Sequence, residues 1–193
     1  PYINMTLSLL KQVGIDAGFN KNIIVVKPTS TTNTQKLTVE SDWSSASYWY
    51  SIIALSEIGS SIKLSAYKKD SLQGDSCLAE IYQHFGVSTK FNKNTITLTK
   101  IKATELSTLT LNLKNAPDIA QTIAVTSFGL GIACDLSGLH TLKIKETDRL
   151  EALKEELTKL GANIDVTNET LHLESASEIN QNIAINTYND HRM

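Results

Sequence analysis

The sequence is poor in the features that mark several large protein classes. Cysteine occurs twice and proline three times in 193 residues, too few for a disulfide-stapled secreted fold or a proline-rich extended segment. Cys77 and Cys134 have no CxxC neighbour and no histidine at ligand spacing, so both read as reduced thiols of a cytoplasmic protein. His84, His140 and His172 lack ligand spacing too and read as structural. Neither sign of charge dominates, since 18 basic and 20 acidic residues leave a net charge of -2. That excludes the basic face which nucleic acid or an anionic membrane surface requires, while anionic metabolites need only a few local cations. The longest nearly apolar run, Ile123 to Cys134, is broken by Thr126, Ser127, Gly129 and Gly131, and falls far short of the roughly 20 residues of a spanning helix. The first residues carry no signal-peptide pattern. With 41% apolar residues, the chain can bury a substantial core as one large domain or two small ones.

What the sequence does contain is a repeat. Leu10 to Gly14, Tyr82 to Gly86 and Leu157 to Gly161 each have the form of a helix end with glycine just past it. Paired strand candidates follow each one: Ile15 to Ala17 with Ile23 to Val26, Ser88 to Phe91 with Thr95 to Thr99, and Asn163 to Val166 with Thr170 to Leu173. The turns between them are Asn20-Lys21-Asn22, Asn92-Lys93-Asn94 and Thr167-Asn168-Glu169. A second helix type alternates with the first, from Asp42 to about Leu55 and from Pro117 to about Phe128, with no charge after its first turn. A helix without a charged face belongs inside a domain. Asp42, Asp118 and Asp190 mark the expected starts of three such helices, at intervals of about 72–76 residues. The expected fold is therefore α/β (α+β), built from βαβαββ units with buried helices and outer sheets. Pro28 to Gln35 reads as a loop, and the domain boundary is expected near Glu40, with 1–40 ending one domain and 41–193 forming most of the second. The opening on Pro1 and the stop at Met193 lead to the expectation of a piece of a longer chain, lacking both ends.

Lys143-Ile144-Lys145-Glu146-Thr147-Asp148-Arg149-Leu150 stands out by its density of charge between two buried elements. Asp148 with Glu151 reads as a capping box, so that Leu150, Leu153, Leu157 and Leu160 form the buried stripe of the helix that follows. Arg149 then occupies the first turn, where a cation is unfavourable beside the positive end of the helix dipole unless an anion is bound there. Taken alone, the stretch reads as a solvated, salt-bridged helix start.

Further motifs change that reading. Pro1-Tyr2-Ile3, Ser41-Asp42-Trp43-Ser44-Ser45-Ala46-Ser47-Tyr48, Gln73-Gly74-Asp75, Pro117-Asp118-Ile119-Ala120, Ile144 to Arg149 and Tyr188-Asn189-Asp190-His191-Arg192-Met193 run in step with the repeat over essentially the whole chain. Together they resemble the 5-enolpyruvylshikimate-3-phosphate synthase family, the 3-phosphoshikimate 1-carboxyvinyltransferases. The resemblance implies an enolpyruvyl transferase-like inside-out barrel of repeated units. It also implies transfer of the enolpyruvyl group of phosphoenolpyruvate to the 5-hydroxyl of shikimate 3-phosphate, with release of phosphate, in the shikimate pathway of aromatic amino acid biosynthesis. Shikimate 3-phosphate and phosphoenolpyruvate are the partners it implies, and no metal or organic cofactor is expected.

The resemblance also assigns roles. Asp118 matches the base and a ligand of the shikimate hydroxyls, although spacing alone favours a helix-start carboxylate. Glu146 matches the proton-transfer carboxylate, Lys145 a substrate-contacting cation, and His191 an assistant in proton transfer. Arg149 and Arg192 match the phosphoenolpyruvate ligands, for which a planar guanidinium suits a carboxylate or phosphate. Tyr2 matches a tyrosine near the shikimate phosphate, an aromatic packed on its neighbours being the other reading. Thr141 stands where relatives place an Asn for substrate contact. Enolpyruvyl transfer to a nucleotide sugar and a non-catalytic repeat binding module are the alternatives. Turnover by the chain on its own is not expected.

Overall fold

The computed structural model describes residues 2–29, 34 and 36–193. Local chemistry sets most of its element boundaries. The amides of Gly14, Gly86 and Gly161 reach the carbonyls of Lys11, Gln83 and Thr158 at 3.0, 3.0 and 2.9 Å. The amides of the next residues reach back to Leu10, Tyr82 and Leu157 at 2.9, 3.0 and 3.0 Å. This paired closure needs a left-handed residue, and the three glycines have φ of +84°, +77° and +98°, a conformation that is costly with a Cβ.

Helix α1 (Tyr2–Gln12) leads into the hairpin β1 (Ala17–Asn20) and β2 (Ile23–Val26). The next unit comprises α2 (Trp43–Leu55), β3 (Ser61–Ser65), a 3-10 turn Gly74–Cys77, α3 (Leu78–Ile81), β4 (Val87–Asn92) and β5 (Thr95–Lys100). The last comprises β6 (Thr108–Asn112), a 3-10 turn Pro117–Ile119, α4 (Ala120–Gly129), β7 (Ala133–Ser137), a 3-10 turn His140–Ile144, α5 (Arg149–Lys159), β8 (Ile164–Val166) and β9 (Thr170–Leu173). This last unit is the expected βαβαββ in full. Its sheet order is β6-β7-β9-β8, with β6 and β7 parallel and the other pairs antiparallel. The middle unit forms an antiparallel sheet ordered β3-β5-β4.

Several expectations are corrected. Among the described residues the middle unit has no opening strand: residues 36–41 have no strand structure, and Ser41 meets the end of β3 through its amide and hydroxyl, which donate to the Ala66 and Ser65 carbonyls. The Glu40 carboxylate draws this segment elsewhere, because it accepts from Trp43 Nε1 at 2.8 Å, the Lys68 amide at 3.0 Å and Ser71 Oγ at 2.9 Å. The expected amphipathic helix of that unit shrinks to the four-residue α3, since Gly74, Asp75 and Ser76 are poor helix formers. Asp190, the expected start of a third helix, stands between two turns with three residues after it, and its carboxylate is bonded to Arg149. The described residues form three separate sheets. Of the expected loop Pro28 to Gln35, residues 30–33 and 35 lie outside the described residues, as does Pro1 of the first motif.

Helices α2 and α4 carry the centre of the core. Asp42 caps α2 by accepting from the Ser44 amide at 2.9 Å. The Tyr50 and Tyr82 rings lie 5.1 Å apart, and the hydroxyls of Tyr82, Thr126 and Ser51 form a buried chain at 3.0 and 2.8 Å. Burial of α2 is one-sided, however. Trp43, Ala46, Tyr50 and Ile53 are buried, whereas Tyr48, Trp49 and Ile52 are exposed in this chain. In α5 the expected stripe forms: Leu150, Leu153 and Leu157 are buried and Leu160 packs on the core partly exposed, each full burial contributing roughly 1.5–3 kcal/mol.

The middle and last units touch at Gly74. A Cβ there would stand 2.1 Å from the Asn115 carbonyl oxygen, a backbone atom that moves only with the loop leading to Asp118. Gly74→Ala is therefore expected to lower stability by about 1–3 kcal/mol through overpacking. Thermal unfolding of the variant beside the parent checks this, and an unchanged midpoint contradicts it.

Candidate active site

Arg149 opens the first turn of α5, after the Asp148 cap that accepts from the Glu151 amide at 3.2 Å. Its side chain is only 1% exposed, although the charge density of the stretch suggests a surface turn. The anion that its position at the helix start demands is supplied by three carboxylates. Asp190 binds it on two atoms, Nε to Oδ2 at 2.8 Å and Nη2 to Oδ1 at 2.9 Å. Nη2 also donates to Glu146 Oε2 at 2.7 Å, and Nη1 to Asp118 Oδ1 at 3.1 Å. Lys145 Nζ lies 3.2 Å from the same Asp118 oxygen, and His191 Nδ1 lies 3.3 Å from Glu146 Oε1.

Four segments thus converge on one guanidinium: the Pro117–Ile119 turn before α4, the turn before α5, α5 itself and the stretch 188–193. Asp118, Lys145, Glu146, Arg149 and His191 are brought together, and Asp118 and Glu146 share one cation. Arg192 joins through its amide, which donates to Asp190 Oδ1 at 2.9 Å, while its guanidinium stands 4.0 Å from Asp42 Oδ2. A cleft of about 360 Å³ opens between Tyr2, Asp42, Asp75, Asn115, Asp118 and Arg192. Tyr2 is exposed on its rim. Thr141, in the His140–Ile144 turn, shares none of these bonds, and its buried hydroxyl has no hydrogen-bond partner among the described residues.

Burial alone would raise the Asp190 carboxyl, but the Arg149 guanidinium and the Arg192 amide outweigh it and hold the group below its ordinary value. For Arg149 burial works against the charge, and the Asp190 pair outweighs that and raises it. Asp75 behaves in the opposite way: burial pushes its carboxyl up, partly offset by the Ser44 hydroxyl that hydrogen-bonds it. Glu146, Asp190 and His191 have metal-ligand donors within 4.8 Å of one another. Both Asp190 oxygens and Glu146 Oε2 already bind Arg149, however, and a second cation beside that guanidinium would be repelled.

The EPSP synthase (3-phosphoshikimate 1-carboxyvinyltransferase) family model matches residues 1–193. The chain belongs to that family. It is 40% identical over 195 residues to a 3-phosphoshikimate 1-carboxyvinyltransferase of Bacteroides fragilis, covering 100% of this chain and 47% of that protein. It is 30% identical over 196 residues to one of Neisseria meningitidis, covering 100% and 45%. The chain thus spans about half the length of these relatives. The solved EPSP synthase of Acinetobacter baumannii superposes with a TM-score of 0.70 at 19% identity, over 93% of this chain and 42% of that one, a likeness of fold.

Asp190 is the site member that sequence reasoning missed as a functional group. The signal was present in Arg149, whose place in a first turn required an anion, and three negative side chains fill that role.

Proposed function

We propose that the complete protein transfers the enolpyruvyl group of phosphoenolpyruvate to the 5-hydroxyl of shikimate 3-phosphate. The observation that carries this reading is the convergence of Asp118 and Glu146 on Arg149 beside Lys145, in a chain whose whole length belongs to the family. Addition across the enol double bond requires a base for the hydroxyl and a proton for the methylene carbon; reversing the proton transfer as phosphate leaves restores the enol ether. Asp118 takes the hydroxyl proton, and Glu146 delivers and later recovers the carbon-bound proton, with His191 against its other oxygen. Arg149, Arg192 and Lys145 neutralise the phosphoenolpyruvate anion, and Tyr2 and Thr141 contact shikimate 3-phosphate. An incoming anion competes with Asp118 and Glu146 for Nη1 and Nη2 of Arg149, while the two-point Asp190 bond keeps the guanidinium in place. Residues 1–40 belong to one domain and 41–193 to the second. The compartment is the cytoplasm, a reading supported by the free thiols Cys77 and Cys134.

Phosphate release tests the reaction. The complete protein is expected to release inorganic phosphate from phosphoenolpyruvate when shikimate 3-phosphate is the acceptor and not when a UDP-amino sugar is. Release only with the nucleotide sugar would assign the sibling reaction, and release with neither would leave a binding module.

A further inference from the structure

The stretch from Asn180 to Arg192 runs back along α5 towards its N-terminus with almost no regular structure of its own. At the far end of the helix, the Asn180 amide and Nδ2 donate to the Leu160 and Lys159 carbonyls at 2.9 and 3.1 Å. Midway, Glu156 offers a carboxylate that is 4% exposed. Its Oε2 accepts from the Asn186 amide at 3.1 Å, and its Oε1 accepts from the Tyr188 hydroxyl at 2.6 Å and Lys159 Nζ at 2.7 Å. The Tyr188 hydroxyl also lies 2.7 Å from Glu155 Oε2. These carboxylates push the phenol well above its ordinary value, so it stays a donor.

The backbone of the next step is unfavourable. Tyr188 and Asn189 have φ of 56° and 53°, two successive left-handed residues that carry a Cβ, an arrangement that persists only where its surroundings enforce it. Immediately after this turn come Asp190, which grips Arg149, then His191 and Arg192. If the turn relaxed to right-handed backbone, all three would swing away from α5 together.

We infer that Glu156 and Tyr188 form a clamp that holds this turn left-handed and thereby places Asp190, His191 and Arg192. They are positioning residues, two helical turns from Arg149, with no proposed substrate contact of their own. The kinetic part of this inference rests on the functional reading above; the structural part does not. The clamp is expected to matter for phosphoenolpyruvate, whose two arginines it aligns, and little for shikimate 3-phosphate, whose proposed ligands lie on other segments.

Tyr188→Phe keeps the ring and removes the donor, and Glu156→Gln keeps the shape and removes the charge. Both are made in the complete protein. Hydrogen exchange over residues 186–193 is expected to quicken in each, and the KM for phosphoenolpyruvate to rise about tenfold at an unchanged KM for shikimate 3-phosphate, with a modest fall in thermal midpoint from the bond lost at the buried Glu156 carboxylate. Adding Asn189→Gly to Tyr188→Phe lowers the cost of the left-handed turn and is expected to recover part of the KM. Unchanged kinetics, or an equal rise in both KM values, would overturn the clamp while leaving the reaction assigned. Should the parent protein itself show no turnover, the functional reading fails. Exchange then decides the clamp alone: faster exchange in Tyr188→Phe supports it and unaltered exchange overturns it.

Discussion

Asp118→Asn in the complete protein is expected to cut turnover by roughly 10²–10⁴-fold, and Glu146→Gln by a similar factor, with the folded structure intact. Both replacements are isosteric, and the amide oxygens still accept hydrogen bonds: at position 118 from Lys145 and Arg149, which lie 3.2 and 3.1 Å from Asp118 Oδ1, and at position 146 from Arg149, which lies 2.7 Å from Glu146 Oε2. What each loses is the ability to take up a proton. The loss should therefore fall on kcat, with KM for either substrate altered only modestly, because the missing interaction belongs to the transition state. If the carboxylates merely balanced the charge of Arg149 and Lys145, the same variants would change KM and its salt dependence and leave kcat nearly alone. Steady-state kinetics with both substrates varied separates these outcomes, and a kcat within twofold of the parent for Asp118→Asn would remove that residue as the base.

The second large effect concerns stability. Arg149→Met is expected to cost about 3–5 kcal/mol, the usual consequence of removing one partner of a buried ion pair. The methionine fills the space, but Asp190, whose side chain is 0% exposed, loses its cation while Asp118 and Glu146 remain nearby. The cost should depend on pH in a definite direction. In the parent, the Asp190 carboxyl is held below its ordinary value of 3.8, so its contribution is fully present above that pH and disappears as the pH falls through the lower folded value. In the variant the same buried carboxyl lacks its cation and titrates above the ordinary value, so acid relieves it. The deficit is therefore greatest near neutrality and narrows as the pH falls through the variant's raised value, so that it is already smaller at pH 4. Urea unfolding of both proteins at pH 7 and pH 4 measures it, and a deficit independent of pH would contradict the account. Adding Asp190→Leu should return part of the lost stability, since it removes the stranded charge.

Where the structure followed the sequence, the information was local. Asp42 and Asp148 cap the helices they precede, the three glycines close helix ends, and the paired strands of the second and third hairpins differ from expectation by a residue or so at their ends, whereas the first strand of the first hairpin runs Ala17–Asn20 instead of Ile15 to Ala17. Each depends on atoms within a few positions of one another. Asp118, Glu146, Lys145 and Arg149 could be picked as candidates because their motifs resemble a known family, but their meeting around one guanidinium required the fold. The partnership of Arg149 with Asp190 spans 41 residues, and no spacing rule encodes it. The bonds from Lys68 and Ser71 to Glu40 likewise join residues about 30 positions apart, beyond the reach of any local pattern.

The helix-closing glycines have a practical corollary. The glycine sets where the chain leaves each helix, and the hairpin tips beyond it differ in sequence, as the Asn-Lys-Asn and Thr-Asn-Glu versions do. Asn168, exposed at the end of the final hairpin on a segment that contributes no side chain to the Arg149 cluster, is therefore a suitable attachment point for a fluorophore or affinity label.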